Sequence, residues 1–544
     1  MAKRRTRKSE QRLDEVRRAL AEGRAQDAWS SARNLLASNK PDARVLSLAG
    51  AAAFQIGDVE QARDLLTDAV KMSPKDPHIQ MNLGNVLGQL SDQSGAFAAY
   101  QASHDLAPNY AEPAFNAGVL FAGQDDHINA AIWFAKALER DNTHVAASVG
   151  LGEAFKNAGN LSESKRVLEA LVSTRPEDPI AHTNLAATLS ALGDDVAAKE
   201  VAAHAVKLDP GLAAAHYNLG VAEQAMGEDA RAAGCYRYAL ALEPVNAAAA
   251  LNLGEACLKS GDVVAAETAF KRALEIDPGF AMAAVNLADL SLHDGRPQDA
   301  LDVIDQFLEQ NPGQPSALAF NAFALRDAGE IKKAQELDSA DRFIFDNPVV
   351  PPNGYEDIAA FNKVLAAHVI AHPSLTVAPK AHATVAGQHS GELLGGELGP
   401  IKDFSDIIMA GFNTYRRQFI GEPAHPFLDG CPKDMRLSIW GVVMHKAGHQ
   451  VPHIHPSAWL SGVYYVEVPE SVTEDDPTHE GWIEFGHPPE DIHAQHTPDV
   501  ALMCPSPGRM ILFPSHFYHR TIPLKTERRR ISIAFDIVPS ILIE

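Results

Sequence analysis

A chain of 544 residues, 46 % of them hydrophobic, is long enough for two or more domains with real cores. Its formal net charge of −23 argues against a general nucleic-acid binder, because phosphates would be repelled. No run of about 18 apolar residues offers a membrane span, and four scattered cysteines (Cys235, Cys257, Cys431, Cys504) without C-x-x-C spacing read as reduced thiols of a cytoplasmic protein.

The N-terminus, MAKRRTRKSEQRLDE, is basic with no apolar segment behind it, so a secretory signal is not expected. Residues 1–8, with Lys3, Arg4, Arg5, Arg7 and Lys8, are expected as a disordered, solvated tail. A tail that touches RNA, ribosome or lipid is the alternative.

From Gly50 a small residue recurs every 34 positions: Gly50, Gly84, Gly118, Gly152, Ala186, Gly220, Gly254, Ala288, Ala322. Twelve residues beyond the first eight stands a second small residue, from Ala62 to Ala300, and twelve further a proline, from Pro74 to Pro312, with Asn142 the one exception. Small residues let two helices approach closely, and the proline ends the second helix of each unit. This pattern resembles the tetratricopeptide repeat (TPR), a 34-residue helix–turn–helix. The resemblance implies an all-α solenoid over residues 9–345, about nine and a half units, with a concave groove. Eight units run from 43 to 314; a degenerate unit precedes them with Ala28 in phase, and a partial capping helix follows near 315–337.

Asn82, Asn116, Asn184, Asn218, Asn252 and Asn286 each lie two residues before the small position, on the first helix of a unit. A row of amides can grip the backbone of an extended protein or peptide partner without reading its sequence. It resembles the asparagine ladder of the TPR groove of O-linked N-acetylglucosamine transferase. The competing reading is that these residues brace the helix pairs. The column lapses at Gly150 and Phe320.

Periodicity ends after QELDSADRFIF, and DNPVVPPNGYEDI follows, so residues 346–354 read as a linker into a second domain, 355–544. Residues 355–372 and 402–418 read as amphipathic helices, and the Gly-rich stretch between them as a mobile loop. Beyond residue 434 come five strand candidates, MRLSIWGVVMHK, WLSGVYYVEVP, GWIEFG, GRMILFP and RRISIAFDIV, whose spacing suggests a jelly-roll barrel.

Fifteen of the 23 histidines lie beyond residue 350. His453 and His455 precede a strand and share a face by alternation, and His519 comes from a later one. Three converging imidazoles suit Fe, Zn, Cu or Ni. Arg530 and Ser532 share a face on the last strand, where a guanidinium and a hydroxyl would grip a carboxylate. His516 competes with His519, but three residues apart on one strand they cannot both face a metal. His445, His449, His479, His487, His493 and His496 are expected in loops or at the surface, and Arg528 and Arg529 in solvent.

The phrases HIHPSAWLSGVYYVEVP, GWIEFGHP, PGRMILFPSHFYHRTIP and RRRISIAFDI resemble a group of bacterial and phage 2-oxoglutarate/Fe(II) oxygenases. That resemblance implies a double-stranded β-helix (jelly-roll, cupin-like) domain with flanking helices, using Fe(II), 2-oxoglutarate and dioxygen. It gives His453 and His519 the metal-ligand roles and Arg530 with Ser532 the distal carboxylate of 2-oxoglutarate, with Tyr464 or Tyr465 lining the pocket. His455 departs from the wider superfamily, which has Asp or Glu there. Three readings stay open: His455 ligates the iron, it points away and leaves water in the place, or it replaces His453 as first ligand. Fused to a peptide-holding groove, such a domain is expected to hydroxylate a protein side chain, with a small molecule as alternative substrate. A three-histidine cupin-type dioxygenase, a non-catalytic TPR scaffold with a degenerate metal-binding barrel, and zinc hydrolysis are the alternatives. No P-loop or G-x-S-x-G is present.

Overall fold

The computed structural model of the protein describes residues 2–38, 42–378, 383–395, 397–422 and 424–540. It divides into two compact units, Met1–Pro244 and Val245–Glu544. Among the described residues no helix is long and apolar enough to cross a membrane.

The first unit consists of helix pairs, from Ala2–Ala21 with Ala25–Ser38 to Ala213–Ala225 with Asp229–Leu242. The basic segment expected as a disordered tail is thus helical backbone from Ala2. Each turn has a local cause. After the helix Ala43–Gln55, Gly57 adopts φ +86°, a conformation that side chains disfavour, and Asp58 then caps Val59–Met72 by accepting the Gln61 N–H. Asp126 and Asp194 repeat that cap two and four units on. The small columns have a steric cause. A Cβ on Gly84 would sit 2.6 Å from the Tyr100 ring, and Ser164 Oγ, in the second small column, donates to the Gly152 carbonyl at 2.7 Å.

The second unit opens with three more pairs, Ala247–Lys259 with Val263–Ile276, Ala281–His293 with Pro297–Gln310, and Pro315–Asp327 with Ile331–Asp338. The last is a full pair where a partial cap was expected. Its first helix is buried at every position from Ser316 to Arg326, because strand-domain residues cover the side that another repeat would cover. Phe323 meets Tyr518 at 5.7 Å, and one apolar core runs from Ala281 to Ile537. Broken periodicity therefore marks no break in the core.

Among the described residues ten strands follow: β1 (Phe345–Pro348), β2 (Thr376–Val377), β3 (Thr384–His389), β4 (Met435–His453), β5 (Leu460–Glu467), β6 (Ile483–Phe485), β7 (Ala501–Met503), β8 (Arg509–Pro514), β9 (His519–Thr521) and β10 (Arg530–Pro539). They form one antiparallel sheet in the order β1-β8-β5-β10-β4-β9-β6-β7, with β3 also on β4 and β2 on β3. The helices Ile358–Ala371 and Pro400–Gln418 flank it. Two expectations are corrected. The segment read as a linker begins inside a strand, β1, held by β8, and the stretch read as a mobile loop contains β2 and β3. The long strand β4 curls the sheet. It pairs with β10 from Met435 to Met444, passes Ala447 at φ +64°, and then pairs with β9, setting His453 opposite His519.

Candidate active site

The structure brings His453, His455 and His519 together: one ring nitrogen from each lies within 4.8 Å of the others. His453 ends β4 and His519 begins β9, directly across the ladder. His455 follows two residues on, anchored by its backbone N–H to the Ser515 carbonyl at 3.0 Å. Of the three readings left open for His455, its position in the cluster fits the first.

The hydrogen bonds fix which nitrogen faces inward. Nδ1 of His453 lies 2.8 Å from the Val451 carbonyl, and Nδ1 of His519 lies 3.0 Å from that of Phe517. Nδ1 of His455 lies 2.8 and 2.9 Å from the two carboxylate oxygens of Asp536. Each Nδ1 faces an acceptor and so carries the proton, which leaves a lone pair on each Nε2. Burial keeps the His453 and His519 rings neutral. It lowers His453 to about 4, with His455 adding to the effect, and drives His519 well below its ordinary value. Phe513 and Phe485 wall the His519 ring, at 4.6 and 6.0 Å, and Trp440 stacks on His455 at 5.7 Å.

Arg530 is 2 % exposed. Its Nη1 donates to the Gly481 carbonyl at 2.6 Å and its Nη2 to Thr521 Oγ1 at 3.3 Å, while Nε has no partner among the described residues. No carboxylate among those residues pairs with it, and burial lowers its pKa. A buried guanidinium without a counter-anion is costly, and an organic carboxylate is the ligand that would relieve it. Ser532, two residues on and buried, lies opposite Tyr465 in the β10–β5 register. The Tyr465 ring stands 5.6 Å from the guanidinium, and burial pushes its phenol up to about 12. Tyr464 turns the other way, donating to Asn362 at 2.5 Å. Arg529 is bound to Glu467 at 2.9 Å near the surface.

His516 points away from the cluster, its Nε2 3.4 Å from the Leu337 carbonyl. His493 and His496 lie at the exposed surface outside helix and strand, as expected, and there they hold Asp289 and Asp327 at 2.7 and 2.9 Å. Sequence reasoning missed Thr521 and Asp536. The signal for Asp536 was available: in RRISIAFDI the polar residues 530, 532 and 536 share one face, opposite Ile531, Ile533, Phe535 and Ile537, all four fully buried.

The six asparagines lie on first helices, and several of their amides are already engaged. Asn116 donates to Asn85 and Asn218 to the Thr183 carbonyl, each at 2.9 Å, and Asn286 donates to Glu255 at 3.2 Å, all in the preceding repeat. Asn184 donates to Ile180 within its own helix at 3.1 Å. This bracing accords with the competing reading. Where the column lapses at Gly150, a cavity of about 660 Å³ opens, lined by Phe115, Val119, Phe134, Val149 and Ile180. A Cβ on Gly150 would come within 2.7 Å of the Phe134 ring, which would have to shift.

Residues 438–536 match a family model described as "Putative 2OG-Fe(II) oxygenase". Tetratricopeptide-repeat models match residues 13–77, 48–111, 149–213 and 217–281, and another 258–320. The chain carries TPR repeats followed by a domain of the 2OG-Fe(II) oxygenase type. A search of the curated proteins finds no match. Among solved structures, a TPR protein from Parabacteroides merdae is 20 % identical, covering 46 % of this chain and 98 % of its own, with a TM-score of 0.37. A thermophilic TPR protein of Thermus thermophilus is 22 % identical, covering 34 % and 100 %, at 0.31. YrrB, a TPR protein with an unusual peptide-binding site, is 22 % identical, covering 34 % and 95 %, at 0.29.

Proposed function

We propose that the strand domain is an Fe(II)- and 2-oxoglutarate-dependent dioxygenase that hydroxylates a side chain of a protein or peptide recruited by the repeats. The observation that carries the reading is Arg530, a buried guanidinium with no anion among the described residues, bonded to a residue two positions along β9 from His519. His453, His455 and His519 would hold the metal through Nε2, and the three protonated Nδ1 atoms hold the rings in that tautomer. Arg530, Ser532 and Tyr465 would bind the cosubstrate's far carboxylate, the guanidinium supplying charge and Ser532 a hydroxyl. Phe485 and Phe513 exclude water beside His519. Fe(II) with 2-oxoglutarate supplies the oxidising chemistry: dioxygen and 2-oxoglutarate are consumed, succinate and carbon dioxide leave, and one oxygen atom ends in the substrate. The repeats raise the local concentration of a bound polypeptide beside the domain that modifies it.

The test is anaerobic Fe(II) titration of the purified protein, then succinate release with 2-oxoglutarate and air. Iron uptake and succinate formation that both disappear in His519→Ala are expected. An active His519→Ala variant, or no iron uptake by the wild type, overturns the proposal. Three histidines also suit a dioxygenase that needs no cosubstrate; turnover independent of 2-oxoglutarate would select it.

A further inference from the structure

The position that a carboxylate occupies in the wider superfamily is here His455, yet a carboxylate stands directly behind it. Asp536 places both oxygens on His455 Nδ1, at 2.8 and 2.9 Å. Its Oδ1 also accepts from Ser461 Oγ at 2.6 Å, Ser461 meets Ser515 Oγ at 2.7 Å, and the Ser515 carbonyl accepts the His455 N–H at 3.0 Å. Asp536, His455, Ser461 and Ser515 thus close a ring, with both serines fully buried and the Asp536 side chain 15 % exposed. Among the described residues Asp536 has no lysine or arginine partner, and the His455 ring is the basic side chain bonded to it. The other two cluster histidines rest on neutral backbone carbonyls instead.

We propose that Asp536 is a positioning residue that returns to the metal site, through the His455 ring, the negative charge that a carboxylate at 455 would have supplied directly. The inference rests on the metal-binding reading above. Two neutral imidazoles and a carboxylate give a ligand set of charge −1; three neutral imidazoles with one backing carboxylate give the same sum, moved outward by the width of a ring. A carboxylate accepting from Nδ1 raises the donor strength of Nε2 and fixes the ring plane. The charge is largely buried without a lysine or arginine of its own, so a divalent metal beyond the imidazole is what compensates it.

The test is anaerobic titration with Co(II), read by its ligand-field absorption and Kd without any turnover. Asp536→Asn keeps the shape and an acceptor but removes the charge. Its affinity should fall by roughly 10- to 100-fold, with an altered Co(II) spectrum. Ser461→Ala cuts the ring but keeps the charge, and should stay within a few-fold of wild type. The double variant His455→Asp with Asp536→Asn, which moves the carboxylate to the ligand position, should recover affinity lost in Asp536→Asn. If Asp536→Asn binds Co(II) as the wild type does, or Ser461→Ala loses as much as Asp536→Asn, the charge role is overturned while the metal site stands. If the wild type binds no Co(II), the metal-binding reading falls and this one with it.

Discussion

Arg530 Nη2 reaches the hydroxyl of Thr521 across 3.3 Å, and Thr521 lies on the same face of β9 as His519. That single bond ties the anion-seeking guanidinium to the strand that carries the distal histidine. Its consequence is a separable defect. Arg530→Met removes an uncompensated buried cation but strands the Gly481 carbonyl, two effects of similar size and opposite sign. The variant should therefore unfold within about 1 kcal/mol of the wild type and titrate with metal normally. It should differ in one respect: a saturating anion at a hundred times its Kd stabilises a protein by about 2.7 kcal/mol, and 2-oxoglutarate should give this only to the wild type. Melts with and without 2-oxoglutarate check it, and an equal gain in Arg530→Met removes Arg530 from the pocket.

Acid should loosen the strand domain through histidines buried neutral. His516 is 3 % exposed, lies 5.4 Å from Phe427, and is driven by burial down to about 3. The unfolded chain takes up that proton near pH 6.5 and the folded one does not, so the contribution is complete above 6.5. It is lost as the pH falls from there toward about 3, at roughly 1.4 kcal/mol per pH unit for one group. In chelator-treated protein, hydrogen exchange of the β10 amides at pH 7 and 5 should show the loss. His516→Leu should flatten the dependence by one histidine's share. An unchanged slope in that variant would mean that His516 is solvated.

Gly462, inside the SGVYY phrase, is a glycine in the middle of a buried strand. A Cβ there would collide with the Phe535 ring and stand 3.0 Å from the Ile511 carbonyl. Gly→Ala in an unstrained strand is often mildly stabilising; here overpacking should cost about 1–3 kcal/mol. Denaturant unfolding of Gly462→Ala measures it. Adding Phe535→Leu should return part of the loss, because the ring is the obstacle.

What the sequence made legible was what repeats or alternates locally. The small-residue columns report a contact between helices a few residues apart, so 34-residue spacing is enough to see them. His453 and His519 were found by the phrases around them, and Arg530 by its alternation with Ser532. What depended on cross-strand register stayed hidden. Thr521 lies opposite Gln450 in the β4–β9 pairing, and Asp536 lies opposite Ser461, whose hydroxyl it shares with Ser515, the residue that anchors the His455 backbone, so both contacts depend on strands far apart in the chain. Short strands were missed for a related reason. β3 reads TVAGQH, with little apolar alternation, and is a strand because β4 offers it an edge.

The long-range pairs least visible in the sequence make the last prediction. Asp289 accepts the His493 backbone N–H at 2.9 Å and faces its Nδ1 at 2.7 Å, from a helix 204 residues earlier in the chain. Asp327, 5 % exposed, accepts the backbone N–H groups of Gln495 and His496, each at 2.8 Å, and faces His496 Nδ1 at 2.9 Å. Both aspartates lie on first helices of the last repeats, and the segment they grip joins β6 to β7, with β6 paired to β9. A hydrogen bond to a charged group contributes about 1.5–3 kcal/mol, and that segment has no regular structure of its own to hold it otherwise. Asp289→Ala with Asp327→Ala should therefore speed amide exchange over residues 487–499 by roughly 10- to 100-fold, leaving β8 and β10 protected. Protection unchanged over that segment would show that packing alone keeps it in place.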